Sequence, residues 1–179
     1  MEHASGKEYR GLVLVNTGTG KGKTTASLGA AIRAAGQGLN TIILQFIKAS
    51  LNYGELQSIQ RLDNVEIHSL GLGMVDENGP MDKHAAKARE AWEKARAAVY
   101  SDQYELVILD EINVAVHYGF VSVGEVIDLL QSRPRRLHVI LTGRFAPREI
   151  IEIADTVTEM CEVKHHYRKG VDAVKGIEF

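Results

Sequence analysis

The chain is short of most features that would place it in a specialised class. It has one cysteine, Cys161, in 179 residues, which excludes an internal disulfide and any zinc site built on paired cysteines, and points to a reducing compartment. Its 21 Lys and Arg nearly cancel its 23 Asp and Glu, leaving a formal charge of −2. That balance supplies no global field to attract nucleic acid or an anionic membrane surface. No apolar run approaches the ~20 residues of a membrane span. Residues 1–10 are predominantly polar and lack the apolar stretch of a signal peptide. Internal repeats, low-complexity tracts and composition shifts that would mark a second domain are also missing. These absences predict a soluble cytoplasmic protein that binds neither nucleic acid nor membrane, with a flexible segment over 1–10 and one domain over 11–179. A chain of this length buries roughly 70% of its unfolded surface, enough for a full sheet-and-helix core.

What is present is concentrated in residues 11–25. The run Gly11-Leu-Val-Leu-Val-Asn reads as a strand and empties into Thr17-Gly-Thr-Gly-Lys-Gly-Lys-Thr-Thr25, after which alanine-rich residues begin a helix. Strand, glycine-rich turn and helix in this order form a phosphate-binding loop. The glycines let successive amides turn inward around an anion, and the helix presents its positive dipole end to the same point. Lys23 adds a mobile charge, and Thr24 a hydroxyl for a phosphate-bound Mg²⁺. The spacing departs from G-x-x-x-x-G-K-[ST] at one place, because Thr17 stands where the first glycine belongs.

Along the rest of the chain, apolar periodicity alternates between the two regular elements. Residues 24–35 carry Leu28, Ala31, Ile32 and Ala35 at helical spacing, with Arg33 in the last turns as a solvated charge or a dipole partner. Residues 41–47 form a near-continuous apolar run, as expected of a strand covered on both faces, and bring Gln45 and Lys48 to its carboxyl end, where ligands of open α/β sheets gather. A short helix over 52–62 and a strand over 65–69 follow. Residues 71–80 make a long loop with three glycines and a proline, a candidate lid or binding loop. Residues 81–101 show the three-and-four spacing of an amphipathic helix. Helical segments are expected over 113–120, 123–130 and from Pro147 to residue 154, and strands over 137–143 and 155–163. In the basic tail, the adjacent His165 and His166 point to opposite sides if the chain is extended.

Residues 105–111, Glu-Leu-Val-Ile-Leu-Asp-Glu, run four apolar side chains into Asp110 and Glu111. Two carboxylates at a strand's carboxyl end are what an Mg²⁺-nucleotide site places opposite the phosphate loop. From the residues alone, the chain is an α/β domain that binds a Mg²⁺-nucleoside triphosphate.

The motifs Thr17 to Thr25, Gln45-Phe-Ile-Lys48, Leu109-Asp-Glu-Ile-Asn113, Leu141-Thr-Gly-Arg144 with Ala146-Pro147, and Gly176-Ile-Glu-Phe179 together resemble the P-loop ATP:corrinoid adenosyltransferases. The likeness extends from Gly11 to the end of the chain, and Thr17 is itself a family trait. It implies a single P-loop NTPase-like (RecA-like) domain with a mostly parallel sheet flanked by helices. The implied activity is transfer of the 5′-deoxyadenosyl group of ATP to the Co(I) of a reduced corrinoid (cobalamin), with release of triphosphate. Mg²⁺, or Mn²⁺ in its place, is implied as the ion, a homodimer as the assembly and a flavoprotein reductase as a partner. The resemblance assigns ATP to Thr17, Gly18, Thr19, Gly20, Lys21, Gly22, Lys23, Thr24, Thr25, Arg33 and Arg144, and makes Lys169 and Gly176 part of a C-terminal wall. Thr24, Asp110 and Glu111 become the metal site, and Lys23, Thr24 and Glu111 the catalytic group.

In one loop the chain departs from the family. Where those enzymes read Gly-Thr-Gly-Phe-Thr-Trp, with aromatic rings over the corrinoid, this sequence has Gly71-Leu-Gly-Met-Val-Asp76. Met74 is a flexible, polarizable side chain that still packs on a corrin face, whereas Asp76 supplies no apolar wall. Two other readings stay open on the residues: a P-loop ATPase or kinase, from Asp110-Glu111, and a non-catalytic sensor of ATP or corrinoid, from the altered loop.

Overall fold

The computed structural model describes residues 10–49, 53–75, 79 and 81–178. Asp76 and residues 1–9, the bulk of the segment expected to be flexible, lie outside the described residues. The elements run in the order β1 (Val13–Thr17), α1 (Lys23–Gly36), β2 (Thr41–Gln45), α2 (Gly54–Ile59), β3 (Val65–Ser69), α3 (Met81–Tyr100), β4 (Leu106–Asp110), α4 (Ile112–His117), α5 (Val123–Ser132), β5 (His138–Thr142), α6 (Arg148–Ile153) and β6 (Thr156–Glu159). A 3-10 turn, His166–Lys169, follows.

The strands form one sheet in the order β3-β2-β4-β5-β1-β6, every pair parallel. Alternation within each strand sends neighbouring side chains to opposite faces. Ile42, Leu44, Val107, Leu109, Val139 and Leu141 join the core built with α3 to α6, while Ile43, Leu106, Ile108 and Ile140 join the core that includes Ala31 of α1 and Ile59 of α2. Helices therefore cover both faces, which is why β2 and β4 are apolar almost throughout. Trp92, on the Ala88, Ala91, Ala95 stripe of α3, is the largest fully buried side chain. All strands point the same way, so the connections after β1, β2, β3, β4 and β5 share one edge of the sheet.

Three expectations are corrected. Ile32 is 56% exposed while Ala31 is fully buried, because α1 meets the sheet along Leu28, Ala31 and Ala35 and position 32 lies one helical step round from that line. The last strand ends at Glu159 instead of reaching Val163, since the chain turns to follow the glycine loop: Met160 N donates to Thr17 O at 2.9 Å and Met160 O accepts from Gly20 N at 2.6 Å. His165 and His166 do not splay apart. The 3-10 turn beginning at His166 brings their rings to 4.7 Å, yet among the described residues no group of three or more His, Cys, Asp or Glu is placed to hold a metal ion. No helix among the described residues is long and apolar enough to cross a membrane.

Candidate functional site: a cleft at the carboxyl edge of the sheet

The connections after β1, β2, β3, β4 and β5 enclose a cleft of about 680 Å³, within the size of a nucleotide-binding pocket. Its floor is the start of α1. Gly22 precedes the helix at φ 104°, and no side chain caps it; the first-turn amides lack intrahelical partners and the dipole's positive end faces the cleft. Gly18, at φ 95°, is required for space as well, because a Cβ there would lie 2.5 Å from Met160 O. Lys23 is buried, and its ammonium donates to Gly18 O at 2.9 Å and Gly20 O at 2.6 Å. Burial pulls its pKa below the usual lysine value, Glu111 opposes that shift, and Arg144 and Lys21 reinforce it.

A polar network crosses the sheet beneath this floor. The carboxylate of Asp110, fully enclosed, accepts from Thr24 Oγ1 at 2.9 Å, Thr142 Oγ1 at 2.7 Å and Gln45 Nε2 at 3.1 Å. Ser69 Oγ donates to Gln45 Oε1 at 2.7 Å, and Glu111 N donates to Thr142 Oγ1 at 2.9 Å. Residues from β2, β3, β4, β5 and α1 are thus tied through one buried carboxylate. Glu111 sits at φ 63° just before α4 and turns into the cleft. Burial raises its pKa above the ordinary glutamate value, Asp110 adds to the shift, and Lys23, Lys48 and Arg144 oppose it. The site so presents a poorly compensated carboxylate beside a helix terminus and a lysine.

Of the residues expected from sequence, Gly20 to Thr25, Met74, Glu111 and Arg144 line the cleft. Asp110 lies behind it, bonded to Thr24. Gly20's amide is committed to Met160 O, so this glycine contributes its conformation and small size. Thr17 is buried at the end of β1, its hydroxyl accepting from Ala146 N at 3.3 Å. Gly18 and Thr19 shape the loop but are not on the cleft wall. Arg33, exposed on the later turns of α1, and Lys169, in the 3-10 turn, are not brought to it. Gly176, at φ 82°, turns the chain so that Ile177 and Glu178 form the C-terminal wall. There Glu178 forms an ion pair with Lys21, and its other carboxylate oxygen lies 3.5 Å from His166 Nε2.

Sequence reasoning missed Thr142, Ser69, Tyr53, Tyr118 and Phe145. A polar residue closing an apolar strand was the available signal for Thr142 and Ser69, since a buried hydroxyl must have a partner; the three aromatic residues carried none.

Comparison with known proteins agrees with this geometry. The family model of ATP:corrinoid adenosyltransferase BtuR/CobO/CobP matches residues 9–179. The corrinoid adenosyltransferase of a Sinorhizobium species is 40% identical, over 98% of this chain and 84% of the relative. That of Pseudomonas aeruginosa is 39% identical, over 98% and 87%, and that of Escherichia coli K12 37% identical, over 98% and 89%. Among solved structures, the KaiC-like protein PH0186 of Pyrococcus horikoshii aligns with a TM-score of 0.51 at 18% identity, covering 87% of this chain and 75% of that one, a likeness of fold alone. The chain belongs to the ATP:corrinoid adenosyltransferase family.

Proposed function

We propose that this protein transfers the 5′-deoxyadenosyl group of ATP to the Co(I) of a reduced corrinoid and releases triphosphate. The observation that carries the reading is the convergence, in a chain of this family, of the uncapped α1 N-terminus, Lys23 and Thr24, the last backed by the enclosed Asp110, on one wall of the cleft that Glu111 and Arg144 also line. Co(I) is itself the nucleophile and bears no proton, so the site needs no general base. Its task is to orient C5′ and to stabilise charge on the departing triphosphate. Lys23 and the amides of the first turn of α1 suit the second demand, and Arg144 adds positive charge.

The donor set fits Mg²⁺, or Mn²⁺, which take hard oxygen ligands. Thr24 Oγ1 and the Glu111 carboxylate are such oxygens, and a carboxylate raised by burial gains from a cation beside it. Asp110 would orient Thr24, its oxygens already accepting three hydrogen bonds. A bound Mg²⁺ supplies charge neutralisation of the triphosphate. The same reading carries residues 11–179 as one catalytic domain, a homodimer, a flavoprotein reductase as electron donor and a cytoplasmic location. Thr17, Gly18, Thr19 and Gly176 enter it as residues that shape the loop and the C-terminal wall, and Arg33 and Lys169 as nucleotide-site residues by way of chain movement or a second subunit.

The test is incubation with ATP, Mg²⁺ and chemically reduced cobalamin. A light-sensitive Co–C product and triphosphate are expected. Orthophosphate without corrinoid would establish an ATPase or kinase instead, and binding of both ligands with neither product a sensor. Lys23→Ala removes the charge at the floor of the loop and is expected to abolish the rise in melting temperature that Mg²⁺-ATP gives the wild type; an undiminished rise contradicts the assignment.

A further inference from the structure

The cleft is polar at its floor and apolar at its rim. Met74, Ile177 and Phe145 belong to its lining and are 93%, 78% and 54% exposed. Three large apolar side chains left open around one mouth mark a docking surface for something apolar. Met74 is a single flexible chain and Ile177 a short aliphatic one, neither with an aromatic face, whereas Phe145 is fixed. Its ring stacks on His117, with centroids 4.1 Å apart and planes 24° apart. His117 meets Tyr118 edge-on at 5.2 Å, and Tyr118 stacks on the buried Phe120 at 5.7 Å. A ladder of four rings thus runs from the core to the rim and ends on an open aromatic face.

The backbone holds that face at a cost. Phe145 has φ 62°, the left-handed region that disfavours any side chain with a Cβ and that glycine would occupy freely. Residues kept in such conformations cluster where ligands are clamped. Burial does not explain the arrangement, because more than half of Phe145 remains exposed.

We infer that Phe145, braced by His117, is a specificity-determining residue that meets the flat ring system of the corrinoid. This rests on the adenosyl-transfer reading. The choice of corrinoid over adenine follows from position: ATP, with its phosphates at the α1 terminus, is of a size to be taken inside the cleft, whereas a macrocycle has to sit across the mouth, where the exposed apolar residues are.

Equilibrium dialysis of cob(II)alamin against the full-length protein with saturating ATP, alongside calorimetry of ATP alone, tests this without requiring turnover. Phe145→Ala is expected to weaken cobalamin binding about threefold to tenfold, the size of one lost aromatic contact, and to leave ATP affinity within about twofold. Phe145→Tyr should restore it, and His117→Ala should shift it the same way by less. Phe145→Gly should weaken cobalamin binding while its melting temperature stays level or rises, an outcome that a packing role does not give. Loss of ATP affinity with cobalamin binding intact would make Phe145 an adenine platform and overturn the inference. Unchanged binding of both, or a Phe145→Gly protein that melts several degrees lower, would also overturn it. Failure of the adenosyl-transfer reading shows separately, as absence of product from the wild type.

Discussion

Thr142 is where the fold and the site are most tightly joined, and replacing it with Val isolates that junction. The hydroxyl donates to Asp110 Oδ1 at 2.7 Å and accepts from Glu111 N at 2.9 Å, in a side chain with no exposure. Val keeps the shape and removes both bonds. An unmet amide away from water costs about 1–3 kcal/mol, and a hydrogen bond to a charged group contributes about 1.5–3 kcal/mol. Crediting the added methyl group at about 0.8 kcal/mol, the expected loss is about 2–5 kcal/mol. For a chain of this size each kcal/mol moves the melting temperature by about 2–4 °C, so Thr142→Val should melt roughly 4–20 °C lower. Thr142→Ser keeps the hydroxyl and loses a buried methyl, about 0.8 kcal/mol. Thermal melts of both variants, with triphosphate release as a second readout, decide the matter. In Thr142→Val, Asp110 loses one of its three donors and Glu111 its backbone anchor, so release should fall by more than the stability loss explains at a temperature where the variant is folded. A shift under about 2 °C for Val, or equal damage from Ser and Val, would refute the network as an energetic unit.

Gly143→Ala probes the wall behind the same site. Gly143 has φ 126°, and a Cβ would meet Glu111 Oε2 at 3.1 Å and Val114 N at 3.2 Å, so a loss of about 1–3 kcal/mol in a urea melt is expected, with Glu111 displaced and turnover reduced; full activity would show that Glu111 tolerates displacement. Glu125 probes the fold alone: Arg89 and the Ser122 amide hold its pKa down at about 2, against 4.5 ordinarily. A depressed carboxylate stabilises the protein above its unfolded pKa and loses that contribution as pH falls through the folded one. Glu125→Gln should therefore destabilise by roughly 0.5–1 kcal/mol at pH 7, as for a lost helix cap, and the gap to wild type should close between pH 4.5 and 2; a gap constant over that range would contradict the assignment.

Much of the architecture was legible because each strand and helix carries a local signal. The buried runs of β2, β4 and β5 and the alanine stripe of α3 have the periods of their elements, and the phosphate loop and Asp110-Glu111 have fixed chemistry. The alternation of strands and helices predicts parallel pairing, while the order of strands depends on contacts that no local pattern records. The candidate site was legible where a motif marks it: Lys23, Thr24, Asp110 and Glu111 lie close together in the fold. Gln45 and Lys48 were marked by lying at a strand's carboxyl end and by the Gln45-Phe-Ile-Lys48 motif of the resemblance. Phe145 and Tyr118 were invisible, since an aromatic residue after a strand or at the end of a short helix looks like core; Phe145 is 54% exposed, and Tyr118 does pack against the core while also lining the cleft. Arg33 shows the converse, a charge assigned to the site by resemblance and found on the far turns of α1.

Thr17 shows why one departure from the glycine pattern is compatible with a working loop. Glycine is required where φ is positive or where a Cβ has no room. Position 17 has neither condition, being the last residue of β1, in register with Glu159 of β6. The turn begins one residue later, at Gly18, where φ is 95° and a Cβ would strike Met160 O. A side chain at 17 is therefore free to do other work, and its hydroxyl accepts from Ala146 N across the gap between β1 and the connection after β5. That connection carries Arg144 and Phe145. The threonine thus ties the glycine-loop end of the cleft to its rim, and a glycine at this position would satisfy the general pattern while leaving Ala146 N without that partner.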